Sequence, residues 1–505
     1  MIRYIKSHPL AAVIIVALLL RLTAAIFSQG FIHSDDHYDS VDVAYFWLQN
    51  GLWNIDGGLS WKEYPASTIG RFPLYTMFLF GVMKLHTLVG ITALDKMMYT
   101  IRFLHALISL LPVWVVYQIL RRQTGRVRWA VLGGLMVALH FGMPFLGVRN
   151  LIEMVGGNIW IGALYFFYRY RDEPQISRLY LAGLLTGLAW MIRFQLAFAA
   201  LPIPFILWYE YRSIRPAIHY SAAVAGMLLF SGIIDYFLVG RFASSTINNL
   251  MINTGLGARY VTVPFVYMLV ILGFFIPPFS LVLGYLSILP SFWRRHRLLV
   301  ISTLAFIVFH MLHSNQQERF MLPIIPALFI LTALALWHRY QEKGYILKNR
   351  KLFLSLAGIS LIINLLLIIP FTTAYGHKGL IEPLIWIERM EIKPRVMFVQ
   401  PDMRRWIPIS YSGFKPPTRL YIRDWPTYNS LPPRYQAAGA FDLFVLYPQK
   451  DGDLELYLDS LQSRYGQLEP LRSYESSLYD KMMHSLNAKH YQKFEPRLYR
   501  PRTQP

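Results

Sequence analysis

The chain has 505 residues, 55 % of them hydrophobic and 15 % charged, with no cysteine and a formal charge of +21. That balance excludes an ordinary soluble domain, and the missing cysteines exclude disulfides and thiolate metal sites. The basic excess does not require nucleic acid, because a membrane protein accumulates lysine and arginine in the loops it keeps inside the cell.

Apolar runs of about 16–20 residues recur along the chain, each long enough to cross roughly 30 Å of hydrocarbon. The first, about residues 10–27, follows Arg3 and Lys6. No small-residue cleavage site comes after it, so it reads as a retained anchor. Basic clusters then set the topology: Arg121, Arg122, Arg126 and Arg128; Arg169, Arg171 and Arg178; Arg212 and Arg215; Arg294, Arg295 and Arg297; and Arg339 to Lys351. With all of them inside, the spans alternate without conflict. They fall at about 10–27, 101–120, 129–147, 154–169, 179–192, 195–209, 218–239, 262–289, 298–312, 321–337 and 352–371. The expected fold is therefore an all-α polytopic membrane protein of about eleven transmembrane helices, with a cytoplasmic N-terminus.

Residues 28–100 form the first external loop in this reading, and the apolar run from Pro73 to about Gly90 lies along the membrane surface or re-enters it. The junction Ile192-Arg193-Phe194-Gln195 requires either a tight external turn or a long bent helix. Residues 1–371 are the transmembrane domain, and residues 372–505 a small external α/β domain. Strand-like pieces at 396–399 and 441–446 and a helical stretch around 451–465 support the second assignment.

The unusual polar groups all fall on the outer side. His33-Ser34-Asp35-Asp36-His37 follows the first span, and ionisable groups at a membrane boundary are costly to leave unpaired. Glu63 and Arg71 share that loop; Arg149, Asn150 and Glu153 form the next external turn, and Arg193 the third. Asp235, Arg241, Asn248, Asn249 and Asn253 surround the fourth, and His310, His313, Glu318 and Arg319 the fifth. Arginines at helix ends (Arg71, Arg149, Arg193, Arg319) suit a phosphate or diphosphate, since the guanidinium fork binds it bidentately. The alternative for Arg319 is an internal ion pair with Glu318 or Asp235. Neighbouring carboxylates suit general-base work on a hydroxyl. The histidines could hold a leaving phosphate or a divalent metal, and the constellation also works without one. Together these groups suggest transfer from a lipid-linked phosphate donor to a hydroxyl. A transporter would instead place its charges near mid-bilayer, often in repeated halves, and no repeat is evident here.

The motifs resemble those of the GT-C superfamily, and within it the mannosyltransferases that use dolichyl-phosphate mannose to build N-glycan precursors and GPI anchors. That family's His-Pro-Asp-Glu is matched by His33-Ser34-Asp35-Asp36, and its Thr-Trp-Glu-Trp with Ile-Arg-Ser by Ser60-Trp61-Lys62-Glu63-Tyr64 and Ile69-Gly70-Arg71. Arg-Pro-Thr corresponds to Arg193-Phe194-Gln195, and Asp-x-x-Phe-Tyr-Gly to Asp235 through Gly240, followed by Asn248-Asn249. His-Lys-Glu-x-Arg-Phe corresponds to His313 through Phe320, with Glu318 and Arg319 in register. The lost proline at Ser34 and the half-kept Arg-Thr-x-x-Asn-x-x-Glu carry Arg149 across but not Glu153. These departures point to a distant, bacterial member that uses undecaprenyl- or another polyprenyl-phosphate sugar.

The resemblance implies an inner-membrane, inverting glycosyltransferase, moving mannose from a polyprenyl phosphate to a lipid-linked or surface glycan, with the site and the C-terminal domain on the periplasmic side. Asp35 would be the base, with Asp36 its partner or a metal ligand. Substrate would be bound by His33, Arg71, Arg149, Arg193, Asp235, Asn249, His313, Glu318 and Arg319. Arg193 and Arg319 would take the donor phosphate, and His313 would donate to it or be structural. Another sugar, an aminosugar or pentose, would fit the same superfamily. No nucleic-acid partner is implied.

Overall fold

The computed structural model describes residues 7–32, 37–51, 72–256, 290–313, 317–341 and 350–399, together with most of 407–413, 419–422 and 435–502. The expected span at 262–289 lies outside these residues. The chain forms two compact units, one of residues 1–25, 55–78 and 102–372, the other of residues 26–54, 79–101 and 373–505.

The first unit is helical. Among the described residues of the chain, five helices are long and apolar enough to cross a membrane: Pro9–Phe27, Leu94–Thr124, Arg215–Leu238, Arg319–Gln341 and Arg350–Thr372. Shorter apolar helices run over Val127–Leu139, Ile176–Ile192 and Arg297–Leu312. Burial of the last long span is inverted relative to a soluble helix. Leu361, Ile362, Leu365, Leu366 and Ile369 are exposed, whereas Ser360 and Asn364 are buried. Polar groups turned inward and leucines turned outward are what a lipid solvent selects. Asn364 accepts a hydrogen bond from the Phe141 amide at 2.7 Å and donates to the Leu139 carbonyl at 2.7 Å. It thereby satisfies the backbone where the expected 129–147 span breaks, at His140, into Val127–Leu139 and Gly142–Gly147. Arg21 is fully buried in the first span and donates to Ser109 Oγ at 3.0 Å and to the Ala17 carbonyl at 3.2 Å.

The helix Ile152–Asp172 is central, buried along most of its length by neighbours on several sides. Gly157 is required there: a Cβ would lie 2.6 Å from the Pro323 carbonyl oxygen. The contact is this close because Glu318–Ile324 is a 3-10 segment containing Pro323, which donates no backbone hydrogen bond. Sequence alone leaves the 192–195 junction open, and the structure breaks it. The helix ends at Ile192, Arg193 is extended (φ −133°, ψ 99°), and Phe194–Leu196 is a 3-10 turn before Ala197–Ala200 and Ile203–Tyr211. The basic loops meet at the other end of this unit, where Arg122, Arg171, Arg212 and Arg295 line one cleft.

The second unit contains a two-stranded and a five-stranded sheet. Strand β1 (Gln29–Gly30) pairs in parallel with β2 (Tyr375–Gly376). Gly30, at φ +74°, allows it, since a Cβ would overlap the Gly376 oxygen at 1.8 Å. The larger sheet has the order β4 (Arg419–Ile422), β3 (Val396–Val399), β5 (Leu443–Leu446), β7 (Arg497–Pro501), β6 (Leu468–Ser473). Its first three strands are parallel and its last two antiparallel pairs close the edge. Every residue of β3 and β5 is buried, as expected for strands covered on both faces. Met397, Val399, Phe444 and Leu446 pack against Tyr457, Leu461 and Tyr465. Those three residues belong to the helix Asp453–Tyr465, close to the stretch expected at 451–465.

Candidate active site

In the first unit the site is built around Glu153, in the first turn of the central helix and wholly inaccessible. Its Oε1 lies 3.2 Å from an Arg193 terminal nitrogen and 3.8 Å from Arg319 Nε. Both arginine side chains are nearly buried, at 8 % and 5 % exposure. Phe320 lies beneath both guanidinium groups, its ring centre 4.6 Å from Arg193 Cζ and 5.4 Å from Arg319 Cζ. The break at Arg193 frees that side chain from helical geometry, and the 3-10 segment after Gln317 turns Arg319 inward, where Gln317 Oε1 accepts from its Nε at 2.9 Å. Two guanidinium groups from distant segments thus reach one carboxylate oxygen, the spacing that a single phosphate oxygen would need.

The neighbouring polar groups are equally constrained. Arg149 is buried with its Cζ 4.9 Å from the Phe145 ring. His310 is buried, its Nδ1 bonded to the Phe306 carbonyl at 2.8 Å, which leaves Nε2 as the ring's acceptor. Its ring centre is 6.5 Å from that of Phe320. Arg193, Gln195, Ser245 and Asn249 line a cavity of about 40 Å³. Asp235 accepts from the Ser245 amide at 2.9 Å and its hydroxyl at 2.7 Å, so it caps the helix Ser244–Leu256. His313 ends the helix Arg297–Leu312, its ring 5.6 Å from Phe309.

Of the residues singled out by sequence, His33, Asp35, Asp36, Glu63 and Arg71 lie outside the described residues, as does the Glu318 side chain. Arg193 and Arg319 are brought together at Glu153 Oε1, so the internal ion pair weighed as the alternative for these arginines is present, with Glu153 as an acid of the pair. Asp235 is turned to its helix cap. Glu153 is the residue the motifs passed over; the only local sign was an acid within a polar external turn. Among the described residues no group of three histidine, aspartate or glutamate side chains is arranged to hold a metal ion.

In the second unit, the residue directly after Asp36 is held from several sides. His37 opens a π-helical turn, His37–Asp42, a rare form that concentrates at functional sites. Its Nε2 lies 3.1 Å from Asp42 Oδ1 and 3.4 Å from Ser410 Oγ, and the Ser410 hydroxyl also bonds Asp42. The ring is stacked between Phe31, at 5.0 Å, and Tyr411, at 5.3 Å. Ser410 and Tyr411 come from the C-terminal segment, more than 370 positions away, and hold His37 in place. Ser410→Ala is expected to lower stability by about 1 kcal/mol, the worth of one hydrogen bond, read by thermal unfolding in detergent. Ser410→Thr, which keeps the hydroxyl, should restore it; unchanged unfolding of Ser410→Ala would show that this hydroxyl adds nothing to the His37–Asp42 pair.

No curated protein matches the chain. Its structure is similar to ArnT from Cupriavidus metallidurans, both bound to undecaprenyl phosphate and in the apo state. In each case the TM-score is 0.57 at 12 % identity, with 97 % of this chain and 98 % of that one covered. A weaker likeness, TM-score 0.45 at 14 % identity over 86 % of this chain and 68 % of that one, is to the oligosaccharyltransferase of Archaeoglobus fulgidus. The likeness to ArnT is one of fold. The sequence model of the Alg9-like mannosyltransferase family matches residues 12–395, which bears out the resemblance read from the motifs. With that pattern running from the first span to the threshold of the five-stranded sheet, the chain belongs to the Alg9-like mannosyltransferase family and is a membrane glycosyltransferase.

Proposed function

We propose that the chain transfers mannose from a polyprenyl-phosphate donor to a hydroxyl of a lipid-linked or surface glycan, with inversion at the anomeric carbon. The observation that carries this reading is the single carboxylate oxygen of Glu153 reached by both Arg193 and Arg319. An arrangement that already gathers two guanidinium groups on one oxyanion suits the phosphate of such a donor. The undecaprenyl phosphate bound by ArnT, a protein of the same fold, supports a polyprenyl carrier.

In the step proposed, the acceptor oxygen forms a bond to the anomeric carbon while the bond from that carbon to the phosphate oxygen breaks. The acceptor proton goes to Asp35, and Asp36 supports Asp35. The electron pair leaves on the polyprenyl phosphate, whose charge Arg193, Arg319 and Arg149 offset and to which His313 donates. Phosphate is a good leaving group, so one base suffices, and a single displacement inverts the carbon. His33, Arg71, Asp235, Asn249 and Glu318 complete the proposed binding set. The basic loops support a cytoplasmic N-terminus, and with it a site and a C-terminal segment outside.

A panel of labelled lipid donors decides the matter. Membranes containing the protein should release label from polyprenyl-phosphate mannose, and not from the corresponding glucose, aminosugar or pentose donors. Turnover of a different sugar would overturn the mannose assignment, and turnover of none would overturn the polyprenyl donor.

A further inference from the structure

Six arginines from four separate loops line one open cleft of about 630 Å³ in the first unit: Arg122, Arg171, Arg212, Arg294, Arg295 and Arg297. Basic loops on the inner side of a membrane protein are ordinary; their convergence on one concave surface is not. The volume is that of a ligand pocket. Two carboxylates share the cleft, and both are held loosely, Asp172 at 3.9 Å from Arg122 and Glu210 at 3.9 Å from Arg297. Among the described residues no carboxylate lies within ion-pairing distance of Arg212, Arg294 or Arg295.

The cleft is also preorganised. Arg171 donates to the Arg295 carbonyl at 2.7 Å and to Gln123, cross-linking three of the loops. The Tyr209 ring has Arg212 Cζ at 4.7 Å and Arg297 Cζ at 4.6 Å from its centre. So many like charges held on stiff supports repel one another unless an anion sits among them. This place is separate from the Glu153 cluster: Glu153 and Arg171 stand 18 residues apart on one helix, about 27 Å.

The cleft is level with the ends of two membrane spans. Arg122 is in the last turn of Leu94–Thr124, and Arg212 comes just before Arg215–Leu238. We propose that the cleft binds the phosphate headgroup of an anionic phospholipid. Guanidinium groups at that depth meet headgroup phosphates before any soluble anion, and basic pockets at span ends suit them.

Native mass spectrometry of the detergent-solubilised protein tests this, with phosphatidylglycerol and phosphatidylcholine of matched chains as probes. The wild type should retain phosphatidylglycerol preferentially, and Arg212→Gln/Arg295→Gln should lose about thirty-fold in that retention, with phosphatidylcholine unchanged. Arg212→Gln alone, whose guanidinium stacks on Tyr209, should lose about five-fold and keeps the test open if the double variant does not fold. Equal retention by variant and wild type, or no preference between the two lipids, overturns the proposal. Binding of pyrophosphate, with lipid retention unaffected by the substitutions, would overturn the lipid assignment in favour of a free phosphate.

Discussion

Asp35→Asn is expected to lower transfer by about 10²–10⁴-fold, the usual contribution of a general base, with donor KM nearly unchanged. The separation of the two constants follows from the proposed division of labour. The donor is held through its phosphate by arginines, whereas Asp35 acts only on the acceptor proton in the transition state. Asparagine keeps the shape and a hydrogen-bond acceptor but has no charge to take that proton. Asp35→Glu, which restores the charge on a longer arm, should recover part of the rate. Thermal unfolding in detergent should be the same for all three proteins, so that a fall in rate is not a fall in folded protein. Turnover by Asp35→Asn at the wild-type rate removes Asp35 from this role.

Glu153→Leu is expected to be the most destabilising single change in the helical unit, costing about 3–5 kcal/mol by leaving buried cations without their carboxylate. The wholly buried acid and its two nearly buried partners leave little water to replace it. Replacing all three groups, as Glu153→Met/Arg193→Met/Arg319→Met, should recover much of that stability, because apolar side chains of similar volume need no counter-charge. The triple variant should nevertheless be inactive, since the two arginines proposed to gather on the donor phosphate are gone. Thermal unfolding and donor turnover separate the two outcomes. A stable Glu153→Leu protein would show that the cluster does not depend on this acid, and an active triple variant would show that the arginines do not bind donor.

Five of the expected spans were legible among the described residues, because hydropathy is a property of a local window. The helix found at Arg350–Thr372 begins and ends within two residues of the expected 352–371. Where backbone chemistry intervened the window was less exact. The expected 321–337 span starts instead as a 3-10 segment at Glu318, because Pro323 cannot donate. The strand at 396–399 appears where its run of Val, Met and Phe placed it, since a buried parallel strand carries its own signal. The pairing of Gln29–Gly30 with Tyr375–Gly376 carried none, because two residues make no pattern and their partners are more than 340 positions away.

The same division holds at the site. From residue types alone came the membrane fold and the likeness to a family, both set by composition within short stretches. Which acid meets which arginine was settled by packing. Glu153 sits 40 positions from Arg193 and 166 from Arg319 in the chain, and the close approach of the central helix to Arg193 at Gly156 and to Pro323 at Gly157 brings them to one oxygen. A charge buried that deeply takes whichever counter-charge the fold delivers, and long-range delivery leaves no mark in a linear string of letters.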